Sequence, residues 1–494
     1  MSATNDVPEK AEAKASFDEV HQADEQDEML QRYDLLKDLT EDQRKAINKS
    51  LVRKLDWRFL PCITMMLLMN YLDRINVSNA RLAGMQKDLH MTDTQWSAGI
   101  SMFYVGYIIS QLPANVMLAK GNPRILLPCF MLGWSVVTLA MVLCTSSVGF
   151  ILCRFFVGVM EGPFVPAVSL MTSSWYTKSE SPMRMSIWHA GNIISNVISG
   201  LLAAGILTRM KNVAGLTSWQ WFILIEGIVS VVVGVVSFWF IPKWPHNTGE
   251  YMFTAEESQM AQYRQLVNAG GVTEDDEGGA WDGTIMACKD PFTWLFTCLH
   301  FFVIIAQSFK DFFPSIMDTF GFDETGTYLL QAPPYIFAYM ACLAVSWTSS
   351  RFRDHCWHIA GVMIVSLVGT VILIATLEQG PRYFSLFLLC AGPFIALNLH
   401  LSWETAVVQR PRVKRAALIA ITNASSSVTH WFTPYFFLTN QAPRYQTGGG
   451  VIMVGCGVTV LSCLALRWWV ARKNKQLEER QRETGEFNSW RFVN

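Results

Sequence analysis

Residues 149–172 read GFILCRFFVGVMEGPFVPAVSLMT. A run of this length suffices to cross a hydrocarbon core of roughly 30 Å, which takes about 20 apolar residues of helix. Yet it holds Arg154 and Glu161. Ionisable groups at that depth are costly and normally face a cavity or a partner inside the protein. Seven residues apart, the two share a helix face but stand about 10 Å apart along its axis, too far for a direct pair. Each needs a partner on another helix, or water. Gly158, Gly162, Pro163 and Pro166 around Glu161 permit close helix packing and a local break, as expected where a cavity is lined. A single helix cannot enclose such a cavity, so the run implies a bundle of spans.

Working outward, eleven further apolar runs of span length stand at 59–79, 96–118, 125–145, 185–208, 219–241, 292–314, 327–349, 358–377, 382–403, 416–438 and 450–471. A polar stretch from Lys243 to Asp290, holding TEDDEGG at 273–279, separates six runs from six. The expected fold class is an all-α membrane protein, with twelve transmembrane helices in two six-helix bundles about a central cavity. The expected division is a disordered acidic tail at 1–50, a first bundle at 51–242, a linker at 243–290, a second bundle at 291–472 and a tail at 473–494. Composition agrees: 51% hydrophobic against 16% charged residues, where a soluble domain carries roughly 25% charge.

Loops after spans 2, 4, 8 and 10 carry ten Lys and Arg, from Lys120 to Arg415; the loops on the other side carry six, from Arg81 to Arg444. The positive-inside rule then puts both termini and the linker in the cytoplasm. The first 50 residues hold no apolar h-region, so no cleaved signal peptide is expected. Eleven scattered Cys without a CxxC pair read as buried thiols rather than a disulfide frame or a metal site. No phosphate-loop, HExxH or nucleophile-elbow motif occurs, so neither an enzyme nor an ATP-driven pump is indicated and no cofactor is expected. A net charge of −1 gives no sign of nucleic-acid binding.

Other polar residues mark where a cavity would lie. Span 1 ends in Asn70-Tyr71-Leu72-Asp73-Arg74-Ile75-Asn76; the adjacent acid and base point about 100° apart. Arg74 either meets a partner inside or snorkels to the interface, whereas Asp73 cannot reach far. A carboxylate in low dielectric resists ionisation unless a cation sits beside it, which makes Glu161 the leading candidate to load and release a proton. The competing view is a structural ion pair of Glu161 with Arg74 or Arg154; a pair that breaks in one state satisfies both. Trp188, His189 and Asn192 lie in span 5, and His189 is either a helix contact or a proton relay. Gln307, Ser308, Lys310 and Asp311 precede Pro314 in span 7, where Lys310 either snorkels or meets substrate. Span 10 ends in Asn398, His400, Ser402, Trp403 and Glu404, with Trp403 a substrate contact or an interfacial aromatic; span 11 holds Asn423; Tyr104 and Tyr107 in span 2 line the cavity or merely pack. With Arg74 and Arg154 against Asp73 and Glu161, and Lys310 a further cation if it faces the cavity, one protonation leaves the cavity net positive and favours an anion.

At these residues the chain resembles the major facilitator superfamily, and within it the anion:cation symporter family, whose fungal branch includes permeases for allantoate, nicotinate, biotin and pantothenate. The carriers are Asn-Tyr-Leu-Asp73-Arg74-Ile-Asn76-Val-Ser in span 1 and Arg154 through Ala167 in span 4, with Lys414-Arg415-Ala-Ala and Ala442-Pro443-Arg444-Tyr445 in the second half. The resemblance extends over residues 50–475. It implies substrate contact by Arg74, proton coupling by Asp73 and Glu161, interaction of Arg154 with those acids or with substrate, and site-lining roles for Tyr107, Asn192, Gln307, Trp403 and Asn423. The chain departs from the pattern at Ala119-Lys120-Gly121-Asn122-Pro123-Arg124, which lacks the usual Asp, at Glu404-Thr405-Ala406 and at Lys310-Asp311.

The expectation is a secondary active transporter, with proton-coupled uptake of a small organic anion. A uniporter or antiporter of a neutral solute, or a non-transporting nutrient sensor, are the alternatives. The expected partners are the anion, protons and a lipid bilayer; a monomer in the plasma membrane is expected, and no metal.

Overall fold

The computed structural model describes residues 29–177, 180–189, 191–248, 251–268, 280–352, 354–408 and 412–484. Among them, eight helices are long and apolar enough to cross a membrane, and shorter or more polar helices complete the expected set. In chain order the spans are α1 (Leu60–Leu82), α2 (Asp93–Lys120), α3 (Pro123–Met141), α4 (Ser147–Trp175), α5 (Gly191–Ile206, led by Ser181–His189), α6 (Ser218–Phe240), α7 (Pro291–Gln307), α8 (Ala332–Phe352), α9 (Cys356–Ala375), α10 (Gln379–Val407), α11 (Arg412–Ser427) and α12 (Gln446–Thr484). They form two six-helix bundles. In the first, α2 packs on α4, α3 on α4 and α6, and α1 on α5 and α6; in the second, α9 packs on α10 and α12, α7 on α10, α11 and α12, and α8 on α10.

Three spans differ from the apolar runs that announce them, each for a local reason. The run 292–314 is not one helix: α7 stops at Gln307, a 3₁₀ turn spans Ser308–Phe312, and a short helix follows over Phe313–Asp318. Pro314 lacks an N–H and its ring clashes with the carbonyl four residues back, at Lys310, so the ladder loosens there. The run 416–438 yields a helix only to Ser427, followed by 3₁₀ turns at Val428–Trp431 and Thr433–Phe436. Ser426 and Ser427 bond back to the Asn423 carbonyl, which competes with the helix, and Pro434 stands at the start of the second turn. α4 is interrupted at Gly162-Pro163, between Ser147–Glu161 and Phe164–Trp175.

The α2–α4 contact is close because glycines stand in it. A Cβ on Gly158 would lie 1.9 Å from the Phe103 carbonyl oxygen, and one on Gly106 would lie 2.3 Å from that of Phe155. Only the absence of a side chain lets the backbones approach this far.

The two ends of the molecule are built differently. At the near end, helix Glu41–Lys54 and the helix Ala255–Asn268 between the bundles pack together. Glu257 accepts from Lys54 Nζ (2.7 Å) and Ser50 Oγ (2.8 Å). Asp56 accepts from Tyr176 Oη and from both Nε and Nη2 of Arg184, while Arg264 pairs with Glu180. At the far end the bundles themselves meet. Ser97 Oγ donates to the Pro434 carbonyl at 3.2 Å, Ser101 Oγ to that of Trp431 at 2.9 Å, and the Thr439 amide to Asp93 at 3.1 Å. Gln331 reaches Asn79 at 3.3 Å, and Lys211 pairs with Glu324. Each of these bonds between bundles lies in the far half.

Candidate functional site

The polar residues of α1 and α4 converge at the middle of the first bundle. Arg74 Nε donates to Glu161 Oε2 at 2.7 Å, and its Nη2 donates to Asn70 Oδ1 at 2.9 Å, one turn back on α1. The guanidinium also lies over three rings, at 4.8 Å from the Tyr107 centroid, 5.1 Å from Phe103 and 5.4 Å from Tyr71. Each ring contact of this kind contributes about 0.5–2 kcal/mol. Arg74 therefore does not snorkel; its side chain is 13% exposed and Glu161 is fully enclosed.

Arg154 does not bond Glu161 directly, as the i, i+7 spacing requires. It is buried with its guanidinium over the Phe103 ring, 4.6 Å from that centroid. Phe103 thus contacts both cations, and Tyr104 and Tyr107 pack on it edge-on and stacked. Asp73, turned away from Arg74 around α1, is buried in the field of Glu226, Glu161 and Arg154, with the Thr138 hydroxyl of α3 beside it. Glu226 is a site residue that the motifs do not announce. It stands alone in the apolar run of α6, within FILIEGIV, and is buried. Its signal is the same as that of Glu161: an acid inside a span.

A second cluster forms where α7 breaks. The loosened turn places Lys310 Nζ 3.5 Å from Gln307 Oε1 and turns Asp311 toward His430, whose Nδ1 lies 3.6 Å from Asp311 Oδ2. His430, from the 3₁₀ turn after α11, stacks on Tyr104 of α2 at 3.8 Å between centroids. Ser78 Oγ of α1 donates to the Asp311 carbonyl. Lys310 and Asp311 thus lie at the seam between bundles, together with His430, which sequence reading passes over because its relation to Asp311 spans more than a hundred residues.

A third cluster belongs to the second bundle. Trp403 is fully buried, edge-on to Phe296 at 5.6 Å, and so is not an interfacial aromatic. One turn apart on the same helix, His400 Nε2 lies 3.3 Å from Glu404 Oε2, and Glu404 Oε1 accepts from Thr422 Oγ1 at 2.9 Å. The His300 and His400 rings lie 4.7 Å apart. Asn192 is buried in α5 with its carbonyl taken by Ser195 and Asn196, and Asn423 is half-buried with its carbonyl taken by Ser426 and Ser427. The side chain of His189 lies outside the described residues. Among the described residues no group of three or more His, Cys, Asp or Glu could hold a metal ion.

Comparison with known proteins agrees with this architecture. The sequence model of the Major Facilitator Superfamily matches residues 63–434. The MFS-type transporter efuF of Hormonema carpetanum is 29% identical over 445 residues, 88% of each chain. The high-affinity nicotinic acid transporter of Saccharomyces cerevisiae is 24% identical over 509 aligned residues, covering 98% of this chain and 93% of that one. Among solved structures, a bacterial homologue of the human lysosomal transporter Spinster, inward-facing and unoccupied, superposes with a TM-score of 0.61 at 14% identity, over 86% of this chain and 95% of that one. These relatives are transporters, not enzymes, and the yeast protein stands in the nicotinate-like branch that the span-1 and span-4 motifs resemble. The chain belongs to the Major Facilitator Superfamily.

Proposed function

We propose that this transporter couples uptake of a small organic anion to the entry of a proton, and that the Arg74–Glu161 pair is where the two meet. The observation that carries this reading is the 2.7 Å bridge between a guanidinium and a wholly enclosed carboxylate. A proton delivered to Glu161 removes the charge that holds Arg74, and a buried cation without a counter-charge is costly. A substrate carboxylate then supplies the missing charge, with two parallel N–H donors available from the guanidinium. Arg154 adds a second positive charge within the same aromatic cage, and Lys310 a third from the other bundle. Proton and anion thus replace each other as partners of one pair, which is the differential interaction a coupled transition requires.

The substrate-contacting residues in this reading are Arg74, Arg154 and Tyr107 from the first bundle and Gln307, Lys310, Trp403 and Asn423 from the second, with His189 and Asn192 from span 5. Asp73 and Glu161 handle the proton. Nicotinic acid, the substrate named for the yeast relative, is a small aromatic carboxylate. A ring flanked by Tyr71, Phe103 and Tyr107 and a carboxylate on Arg74 would suit that class. The near end, with its two packed polar helices, faces the cytoplasm in this reading, in keeping with the excess of Lys and Arg in its loops. Residues 1–50, 243–290 and 473–494 then lie in the cytoplasm, the bundles run over 51–242 and 291–472, and the protein works as a monomer in the plasma membrane. The bonds between bundles in the far half support a state closed to the outside.

The test is uptake of labelled carboxylates, nicotinate first, in a permease-deficient host, against external pH and with an uncoupler. Uptake that rises as external pH falls and collapses with the uncoupler is expected. Uptake indifferent to both would reject symport. Glu161→Gln should abolish concentrative uptake while exchange across the membrane persists.

A further inference from the structure

The buried charges of the first bundle do not balance. Three carboxyl groups, Asp73, Glu161 and Glu226, share its interior with two guanidiniums, Arg74 and Arg154; the third buried guanidinium, Arg81, is already matched by Asp93 at 2.9 Å and adds nothing to either side. Including the neighbouring Lys310 and Asp311 adds one charge of each sign and leaves the excess where it was. Arg74 is taken by Glu161. Asp311 has His430 at 3.6 Å and the adjacent Lys310. The surplus acid therefore falls on Asp73 and Glu226.

Both of those groups are more than nine-tenths buried, and among the described residues each has an oxygen without a hydrogen-bond donor, Asp73 Oδ2 and Glu226 Oε1; Glu161 Oε1 is bare as well, but its other oxygen holds Arg74. An ionised carboxylate with a bare oxygen in a dry interior is among the costliest arrangements a protein can hold. The surroundings of Glu226 offer little relief. Asp73 on α1 and Glu161 and Arg154 on α4 are the charged groups in whose field it lies, two acids against one base. Of the other helices on α6, α3 carries only Arg124 and Cys129 as titratable groups, and Arg124 is engaged with the Phe238 carbonyl at the opposite end of α6; Gly191–Ile206 of α5 carries none. The neutral neighbours are Asn76 beside Glu226 and Thr138 beside Asp73. Asp73 and Asn76, three apart, share the α1 face.

We propose that Asp73 and Glu226 share one proton in this state, so that Glu226 is a third proton-carrying acid of the transporter, lying behind the Arg74–Glu161 pair. One protonated acid gives the pair a donor as well as acceptors, and removes the repulsion between two like charges buried in one interior. It also restores equal numbers of buried positive and negative charges. The part of this proton in coupling rests on the symport reading above, since a proton already stored beside Glu161 can pass to it when Arg74 leaves. Its presence does not rest on that reading.

The experiment is infrared difference spectroscopy of the purified full chain in lipid at neutral pH, reading the carbonyl stretch of protonated carboxylic acid and its shift in heavy water. Wild type should show the band. Glu226→Gln and Asp73→Asn should each remove the same component of it, because removing either acid removes the surplus. Glu404→Gln, in the other bundle, should leave that component in place. No band in wild type, survival of the component in either E226Q or D73N, or its loss in E404Q would overturn the proposal. Should E226Q fail to fold, D73N against E404Q carries the comparison. Uptake that ignores the proton gradient would end the symport reading and leave this band untouched; a missing band beside proton-driven uptake would do the reverse.

Discussion

Arg74 of α1 and Glu161 of α4 are joined by a 2.7 Å bond, although 87 residues separate them in sequence. Removing one member of such a pair strands the other in a dry interior, at a cost of about 3–5 kcal/mol. Arg74→Ala should therefore lower thermal stability sharply, and Arg74→Lys should rescue much of that loss but little uptake, because an ammonium cannot present two parallel donors. The double variant Arg74→Met/Glu161→Met should melt higher than Arg74→Ala and transport nothing. Melting of the purified variants beside uptake in cells checks all three; a double variant no more stable than Arg74→Ala would mean that the pair is not the source of the loss.

Closure at the far end depends on the fit of α5 against the short helix Glu324–Leu329 and the turn that leads into α8. A Cβ at Gly200 would stand 2.9 Å from the Tyr328 carbonyl oxygen and 3.3 Å from the Gln331 side chain. Gln331 is the residue that reaches Asn79, which in turn donates to Ser199 at 2.7 Å. Gly200→Leu should wedge this seam open at about 1–3 kcal/mol, shifting the balance of states by roughly ten- to hundredfold. Oxidative cross-linking between Asn79→Cys and Gln331→Cys, in a background without other Cys, should fall by that factor and uptake with it, while expression is unchanged.

Much of the fold is legible because apolar length is a strong signal. The run 219–241 becomes Ser218–Phe240, and 59–79 becomes Leu60–Leu82. The helix breaks are less so: Pro314 and the Ser-rich end of α11 are visible as letters, but how far each ladder loosens depends on the carbonyls it frees. Asp73, Arg74, Arg154 and Glu161 are legible as misplaced charges. Their pairing is not, since Arg74 meets Glu161 only through the depth and azimuth at which the bundle sets the two side chains. Glu226 carries the same signal as Glu161, yet draws attention only once α6 is seen to bring it to Asp73. Asp311, His430 and Tyr104 come together from three distant segments, and no spacing in the chain encodes that meeting.

The near-end helices are tied by an acid whose ionisation can be followed. Thr254 and Glu257 form a reciprocal cap, with the Thr254 amide on Glu257 Oε2 at 2.9 Å and the Glu257 amide on Thr254 Oγ1 at 3.2 Å. Burial alone would push the Glu257 carboxyl up, but hydrogen bonds from Lys54, the Thr254 amide and Ser50 outweigh it and hold the group below its ordinary value. A lowered folded value means that the contact stabilises above the unfolded pKa, about 4.3, and that this is lost as pH falls through the folded value. Hydrogen exchange of residues 255–268 should thus be slow and flat from pH 7 to about 5, after correction for intrinsic rates, and lose protection below. Glu257→Gln should lose several-fold protection at pH 7, on the scale of about 1 kcal/mol for a partly exposed pair, and abolish the pH step. A step that persists in that variant would assign it to another acid.

The site also depends on a residue that touches nothing polar. Gly158 lies one turn before Glu161 on α4, and its missing side chain is what admits the Phe103 backbone of α2. Phe103 is in turn the ring that both Arg74 and Arg154 contact. Gly158→Ala would set a methyl 1.9 Å from a carbonyl oxygen, a distance no rotamer change relieves, because both atoms belong to main chains or are fixed to them. The helices must then separate, and overpacking of this kind costs typically about 1–3 kcal/mol, occasionally more. Separation of α2 from α4 also withdraws Phe103 and Tyr107 from Arg74. Gly158→Ala should therefore lower both melting temperature and uptake, whereas Gly457→Ala, where no atom lies within 4 Å of the added Cβ, should change neither. Equal tolerance at the two positions would show that the α2–α4 approach is not what sets the aromatic cage around Arg74.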